Sequence, residues 1–380
     1  MQAVILAGGL NSKCMSLYGN CLKPMLPFFD KPIIDHLVSW ASTQNITEIV
    51  IVLSQKSTQI AEYLGDGSRY GVTIKYIVEK RPLGTSGSFK NISSILNDTF
   101  VVIPSDIITD IDLISPIELH KQKLATATLI TTISNETSDY GIVGLNNRNQ
   151  VVQFAEKPKS SESFSNIINT GIYIMSKDCL SSISNTQYSD MVYDLFPRLI
   201  NNNELFAACG DGYWCDVADA SAYKKAHFDV LEGKLSIKTE TANLGKGIWM
   251  GKNVSINPKV TICPPAYFED NVKIDADVHF AGKSIIGSNT VINKNAYIFN
   301  SIIGHDSILE NNSRITNAVL GGPFKTQEGQ RLSGDIITSH TEYIIQISDR
   351  PQVEIEQVIP AIEVTTSVER KPLTEVVLQV

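Results

Sequence analysis

The sequence predicts an α/β protein: a doubly wound, Rossmann-like domain followed by a parallel β-helix of hexapeptide repeats. Three observations predict it. Continuous apolar runs of strand length at 3–6, 49–53 and 99–103 are separated by helix-like segments. The first of these runs ends in Gly8-Gly9. From about residue 245 an apolar residue returns every six positions, as Met250, Ile256, Ile262, Phe268, Ile274, Phe280, Ile286, Ile292 and Ile298.

Residues 3–6 form a strand that ends in glycines, where bare backbone N–H groups can approach a phosphate without side-chain interference. A polar loop with Lys13 follows, then Lys23-Pro24-Met25-Leu26-Pro27. Nearby lysines balance polyphosphate charge. Pro32 suits the first turn of a helix, and Ile33, Ile34, Leu37, Val38 and Ala41 follow at helical spacing. Unbroken apolar runs belong to strands covered on both faces, as in parallel sheets. In such a sheet the ligand lies at the C-terminal ends of the strands. The domain is expected to span 1–235.

Over 245–322 the six-residue period means short flat strands joined by turns, each coil stacking on the next. A second apolar series runs beside the first as Ile248, Val254, Val260, Ala266, Val272 and Val278. It continues one position later as Ile285, Val291, Tyr297, Ile303, Leu309 and Ile315, which reads as a register slip or a small insertion in one coil. Residues 326–380 read as a β-prone appendage or tail, with Pro351, Pro360 and Pro372 interrupting or bounding it.

The 380 residues exceed one compact domain, and 43% hydrophobic with 19% charged residues describe an ordinary soluble protein. A net charge of −8 argues against nucleic-acid or anionic-membrane partners. The six cysteines form no CxxC pair and no histidine cluster joins them, which disfavours zinc and fits a reducing cytoplasmic setting. No signal peptide and no run of membrane-spanning length is visible.

Position by position, the first domain resembles the sugar-1-phosphate nucleotidyltransferases, in the mannose-1-phosphate guanylyltransferase and glucose-1-phosphate uridylyltransferase branch. The six-residue repeats resemble the left-handed β-helix at the C-terminus of several members. The resemblance rests on stretches in the family's order: Leu6-Ala7-Gly8-Gly9, Lys23-Pro24-Met25-Leu26-Pro27, Pro82-Leu83-Gly84-Thr85-Ser86-Gly87, Pro104-Ser105-Asp106, Tyr140-Gly141, Glu156-Lys157-Pro158, Asn169-Thr170-Gly171 and Gly212-Tyr213-Trp214-Cys215-Asp216-Val217. It implies transfer of a nucleotidyl group from an NTP, GTP or UTP, to a hexose 1-phosphate. It assigns Leu6, Gly8, Gly9, Gly84 and Thr85 to the nucleotide, and Lys23 and Lys13 to its phosphates. Asp106 and Asp216 would hold Mg²⁺, with Asp106 also catalytic. Gly141, Glu156, Lys157 and Asn169 would place the sugar phosphate. The β-helix would support a homo-oligomer. Both reactants are anions, so a divalent ion held by two carboxylates fits the reaction.

The glycine-rich loop departs from the family. After Gly8-Gly9 the family carries Gly-Thr-Arg and a second basic residue, where this chain has Asn11-Ser12-Lys13 and Met15. Lys13 keeps the charge but loses the planar fork of arginine. Loss of one preorganised donor commonly costs ~10²–10³ in rate. Two readings follow: a working enzyme with an atypical loop, or a catalytically weak paralogue that binds nucleotide or nucleotide sugar as a regulatory or assembly subunit. Acyl transfer at His279 or His305 of the repeats is a third, disfavoured class, because the α/β domain already accounts for the chemistry.

Overall fold

The computed structural model describes residues 1–8, 21–183 and 188–334, and the backbone of 358–360. The first part of the chain runs β1 (Gln2–Ala7), α1 (Ile33–Thr43), β2 (Glu48–Ser54), α2 (Gln59–Leu64), β3 (Thr73–Glu79), α3 (Thr85–Asn91), β4 (Thr99–Pro104) and β5 (Ile107–Thr109). It continues through α4 (Ile114–Gln122), β6 (Ala127–Ile133), β7 (Gly141–Leu145), β8 (Val151–Glu156), β9 (Ile167–Ser176), α5 (Phe196–Asn201), β10 (Leu205–Cys209), β11 (Trp214–Asp216) and α6 (Ala220–Leu231).

The main sheet has the order β8-β7-β9-β4-β1-β2-β3, with β6 on β9 and β10 on β6. β4, β1, β2 and β3 are mutually parallel. The runs read as parallel strands, at 3–6, 49–53 and 99–103, are parallel; β9, which carries no such reading, lies antiparallel to β4 and β6, so the sheet as a whole is mixed. Within β9, Ile172-Tyr173-Ile174-Met175 is continuously buried, as the cores of its parallel neighbours are, while 167–171 alternates. Hydrophobic periodicity reports burial, not strand direction.

Both faces of β1 are packed. Ala3, Ile5 and Ala7 join α1, α2 and α6, through Ile33, Leu37, Ile60, Tyr223 and Ala226. Val4 faces the other layer with Phe89 of α3 and Phe196 of α5. The strand order reverses at β1, with β2 on one side and β4 on the other. That is the switch point where ligands bind in open α/β sheets.

From Ile248 onward three parallel sheets stack as a β-helix. Its interior is Phe268, Ile274, Phe280, Ile286, Ile292, Ile298, Ile303, Leu309 and Ile315. The register change is an omission rather than an insertion. Ala266 pairs with Ser284, eighteen residues on, but Ser284 pairs with Ser301, seventeen on. One residue is lost at the corner where Asn300 alone joins two strands. The second interior series continues in register as Ser284, Thr290, Ala296, Ser301, Ser307 and Ser313, all buried. Its small hydroxyl side chains bond nearby carbonyls, as Thr290 does with Gly304 and Ser307 with the same oxygen. The neighbouring outward residues Tyr267, Ile285, Ile302 and Val319 pack with Phe29 and Tyr223 in the core of the α/β part.

Corner residues with positive φ include Asn253, Asn271, Asn289 and Asp306. Asparagine and aspartate tolerate this region better than most residues. Their side chains form a ladder: each amide donates to the next, at 3.1, 3.0 and 2.9 Å, ending on the Asp306 carboxylate. In the tail, Val358–Pro360 adds a parallel strand at the β3 edge. Among the described residues no helix is long and apolar enough to cross a membrane.

Candidate functional site

Asp106 stands in the turn between β4 and β5, at the C-terminal end of the strand beside β1. β5 pairs antiparallel with β11, which sets Asp216 opposite Ile107. The Val217 N–H donates to the Asp106 carbonyl at 3.0 Å. Two acids 110 positions apart are thereby fixed side by side. Lys23 opens a short 3₁₀ turn, Lys23–Met25, whose Pro24 and Met25 are buried. The turn is closed by Met25 N–H to Leu22 O at 2.8 Å and Leu26 N–H to Lys23 O at 3.1 Å. Its ammonium reaches Asp106 Oδ2 at 2.5 Å and Asp216 Oδ1 at 3.6 Å. The Asp216 carboxyl is pushed up to about 6, first by burial and then by the Asp106 charge, with Lys23 opposing.

This donor set fits Mg²⁺. The ion uses one or two carboxylates, keeps several waters and takes substrate phosphates as further ligands. Among the described residues no cluster of three or more His, Cys, Asp and Glu is assembled for a metal. The two hard carboxylate oxygens suit an ion that arrives with phosphate rather than one caged by protein.

Leu6 lies in β1 opposite Pro104 of β4, and Gly8 follows at the strand end. Gly9 and Lys13 lie outside the described residues. Gly84 caps α3 with φ 78° and ψ 165°, a region that only glycine occupies comfortably. A Cβ there would collide with the Ser189 carbonyl oxygen and sit 2.8 Å from its carbon. That oxygen accepts from Ser86 N–H at 3.1 Å and Gly87 N–H at 3.0 Å. Thr85 Oγ1 donates to Asp190 Oδ2 at 3.1 Å and accepts from Met191 N–H at 2.8 Å. The segment from Gly84 to Gly87 is thus clamped to residues 189–191.

Of the residues expected to place the sugar phosphate, Gly141 and Glu156 are paired by β7 and β8. A Cβ at Gly141 would sit 2.8 Å from Glu156 Oε2 and 2.6 Å from the Phe154 ring, so glycine leaves space for the carboxylate. Burial raises the Glu156 carboxyl, Lys157 opposes the shift and Asp190 adds to it. Lys157 has φ 45°, and its N–H donates to Tyr140 O at 3.1 Å. Its charge also favours the ionised form of Asp216. Asn169 accepts from Gly171 N–H at 3.1 Å and donates to Tyr173 Oη at 2.9 Å. It braces the irregularity in the β9–β6 pairing, leaving one amide hydrogen and one lone pair for a ligand. Trp214 stacks edge-on with Tyr140 and donates its indole N–H to Thr170 O at 3.1 Å.

Sequence reasoning missed Ser189 and Asp190. Asp190 accepts from Val192 N–H at 2.8 Å, while Asp194 accepts from Asp190 N–H at 2.7 Å. The signal was available as paired aspartates ahead of Leu195-Phe196-Pro197, a reciprocal capping pattern.

The chain matches the Nucleotidyl transferase family over residues 2–233 and the GMPPB C-terminal domain over 245–372, so the second match runs on into the tail. It is 32% identical to UTP–glucose-1-phosphate uridylyltransferase of Synechocystis over 79% of this chain and 82% of that one. It is 31% identical to mannose-1-phosphate guanyltransferase of Schizosaccharomyces pombe over 69% of this chain and 73% of that one. The crystal structure of HddC from Yersinia pseudotuberculosis superposes with a TM-score of 0.54 at 26% identity, covering 60% of this chain and 99% of that chain. The converging acid pair and lysine at the switch point, and matches that run through both parts of the chain, have one reading: this chain belongs to the sugar-1-phosphate nucleotidyltransferase family.

Proposed function

We propose that the chain joins the nucleotidyl group of GTP or UTP to a hexose 1-phosphate, glucose or mannose, and releases pyrophosphate. The observation that carries this is the meeting of Lys23, Asp106 and Asp216 at the ends of β1 and β4. A sugar-phosphate oxygen attacks the α-phosphorus, the bond to the β-phosphate bridging oxygen breaks, and its electron pair leaves with pyrophosphate. Lys23 balances triphosphate charge. Lys157 steers the incoming phosphate toward the acid pair, and Glu156 accepts from sugar hydroxyls. Asp106 and Asp216 would hold Mg²⁺, whose contribution when bound is to screen the two anions from each other. Gly84, Thr85 and Leu6 border the nucleotide, with Gly8 and Gly9 at its phosphates and Lys13 on the same loop.

Relatives named as uridylyl- and guanylyltransferases support catalysis over a binding-only role. The free thiols Cys21, Cys179, Cys209, Cys215 and Cys263 support a reducing, cytoplasmic setting. Self-association through the β-helix is supported by its first coil, where Met250, Ile256 and Ile262 are only partly covered. The test is pyrophosphate release over a matrix of four triphosphates and several sugar phosphates, with Asp106→Asn as control. Release above the control with GTP or UTP is expected. Tight nucleotide-sugar binding without release would overturn catalysis.

A further inference from the structure

We infer that the Lys23 ammonium is an internal stand-in cation, which keeps the acid pair from taking up a divalent ion until nucleotide phosphates draw the lysine away. This deepens the reading of the same site as a nucleotidyltransferase centre.

The geometry carries it. Lys23 Nζ lies 2.5 Å from one carboxylate and 3.6 Å from the other, and its side chain is only 12% exposed. The ammonium therefore engages oxygen atoms that an arriving metal needs. The backbone cannot retreat, because Pro24, Met25 and Leu26 behind the lysine are buried in the core. Only the side chain can move. A divalent ion added to an acid pair already holding one ammonium faces direct repulsion and finds Asp106 Oδ2 already hydrogen-bonded. With two protein carboxylates alone, the gain does not offset stripping water from a strongly hydrated ion.

A nucleoside triphosphate changes both sides of this balance. Its phosphates offer Lys23 a more highly charged partner. They also supply the remaining oxygen ligands. Metal and nucleotide then favour each other, and by linkage the coupling factor is the same in either direction. Lys23 has two successive jobs: counter-ion of the acids in the free protein, counter-ion of the phosphates in the complex. The free protein is also guarded against divalent ions unaccompanied by substrate.

The test uses Mn²⁺ as probe on the full chain, followed by electron paramagnetic resonance of the free ion and by calorimetry. Wild type is titrated alone and with a non-transferable α,β-methylene triphosphate, counting the metal bound by the free analogue. Lys23→Met and Lys23→Arg are titrated alone. We expect coupling in wild type of about 5- to 150-fold. Lys23→Met alone should bind Mn²⁺ about tenfold tighter than wild type alone, and Lys23→Arg should stay weak. Equal Mn²⁺ affinity of wild type with and without analogue would overturn the inference, and that comparison needs no variant to fold. Equal affinity of folded Lys23→Met and wild type, each without nucleotide, would overturn it too. The metal-alone titrations involve no turnover, so failure of the pyrophosphate assay and failure of the stand-in cation are told apart.

Discussion

Gly84→Ala perturbs the segment proposed to border the nucleotide without touching a charged group. The alanine would hold φ 78° and ψ 165°, which costs about 1–3 kcal/mol for a residue with a Cβ. Its methyl also meets the Ser189 carbonyl, backbone against backbone, so neither partner can swing away. Relief requires parting the segment from Ser189 and giving up the bonds from Ser86 N–H and Gly87 N–H, about 1 kcal/mol each. The total is about 3–5 kcal/mol. Much of it falls on the geometry of the nucleotide segment, because α3 can drift while the sheet stays intact. Gly71→Ala is the control: φ is 74°, but nothing lies within 4 Å of the added methyl, so only backbone strain is paid. The assay is urea unfolding together with calorimetric binding of the preferred triphosphate. Gly84→Ala should lose at least about tenfold in affinity and unfold at lower urea than Gly71→Ala. If both variants bind within twofold of wild type and share one midpoint, the clamp on Ser189 does not shape the site.

Two further outcomes are expected. Asn271→Ala removes a rung that both accepts and donates in the β-helix ladder, and it places a Cβ without side-chain compensation at φ 62°. It should cost about 2 kcal/mol; Asn271→Gly should recover the backbone part alone, and a glycine no better than alanine in thermal melts would reject the division. Glu269 is pushed up to about 8 by burial, with Asp30 adding to the shift and the Ser288 N–H opposing it. Stability tied to its protonated form is complete below the unfolded value of about 4.3 and is lost as pH climbs from there to about 8. Glu269→Gln should therefore match wild type at pH 4 and exceed it by on the order of 2 kcal/mol at pH 8.5, after allowing for solvent screening. A melting difference that stays flat across that range removes Glu269 as the cause.

Much of the molecule was legible in its residue order. The strand before Gly8, the helix behind Pro32 and the six-residue repeat are set by short-range sterics and by alternation of apolar and polar side chains, and each stands where it was read. The coil register was misread at 284 because its interior switches from Val to Ser, Thr and Ala. Buried hydroxyls that bond carbonyls of their own or the adjoining coil carry no apolar signal. The direction of the strand holding 172–175 was illegible because burial on both faces there writes the same apolar run in either orientation.

The residue order by itself determined which chemistry-bearing groups are present: a strand-end glycine segment, Lys23, and acids at 106 and 216. Only the tertiary structure decided that they meet. Asp106 and Asp216 become neighbours through the pairing of β5 with β11, and the segment at Gly84 is tied to Ser189 and Asp190. Contacts between segments a hundred residues apart depend on how every intervening element packs. Local propensity has no term for that, because the free energy that selects one long-range pairing is a property of the whole buried core.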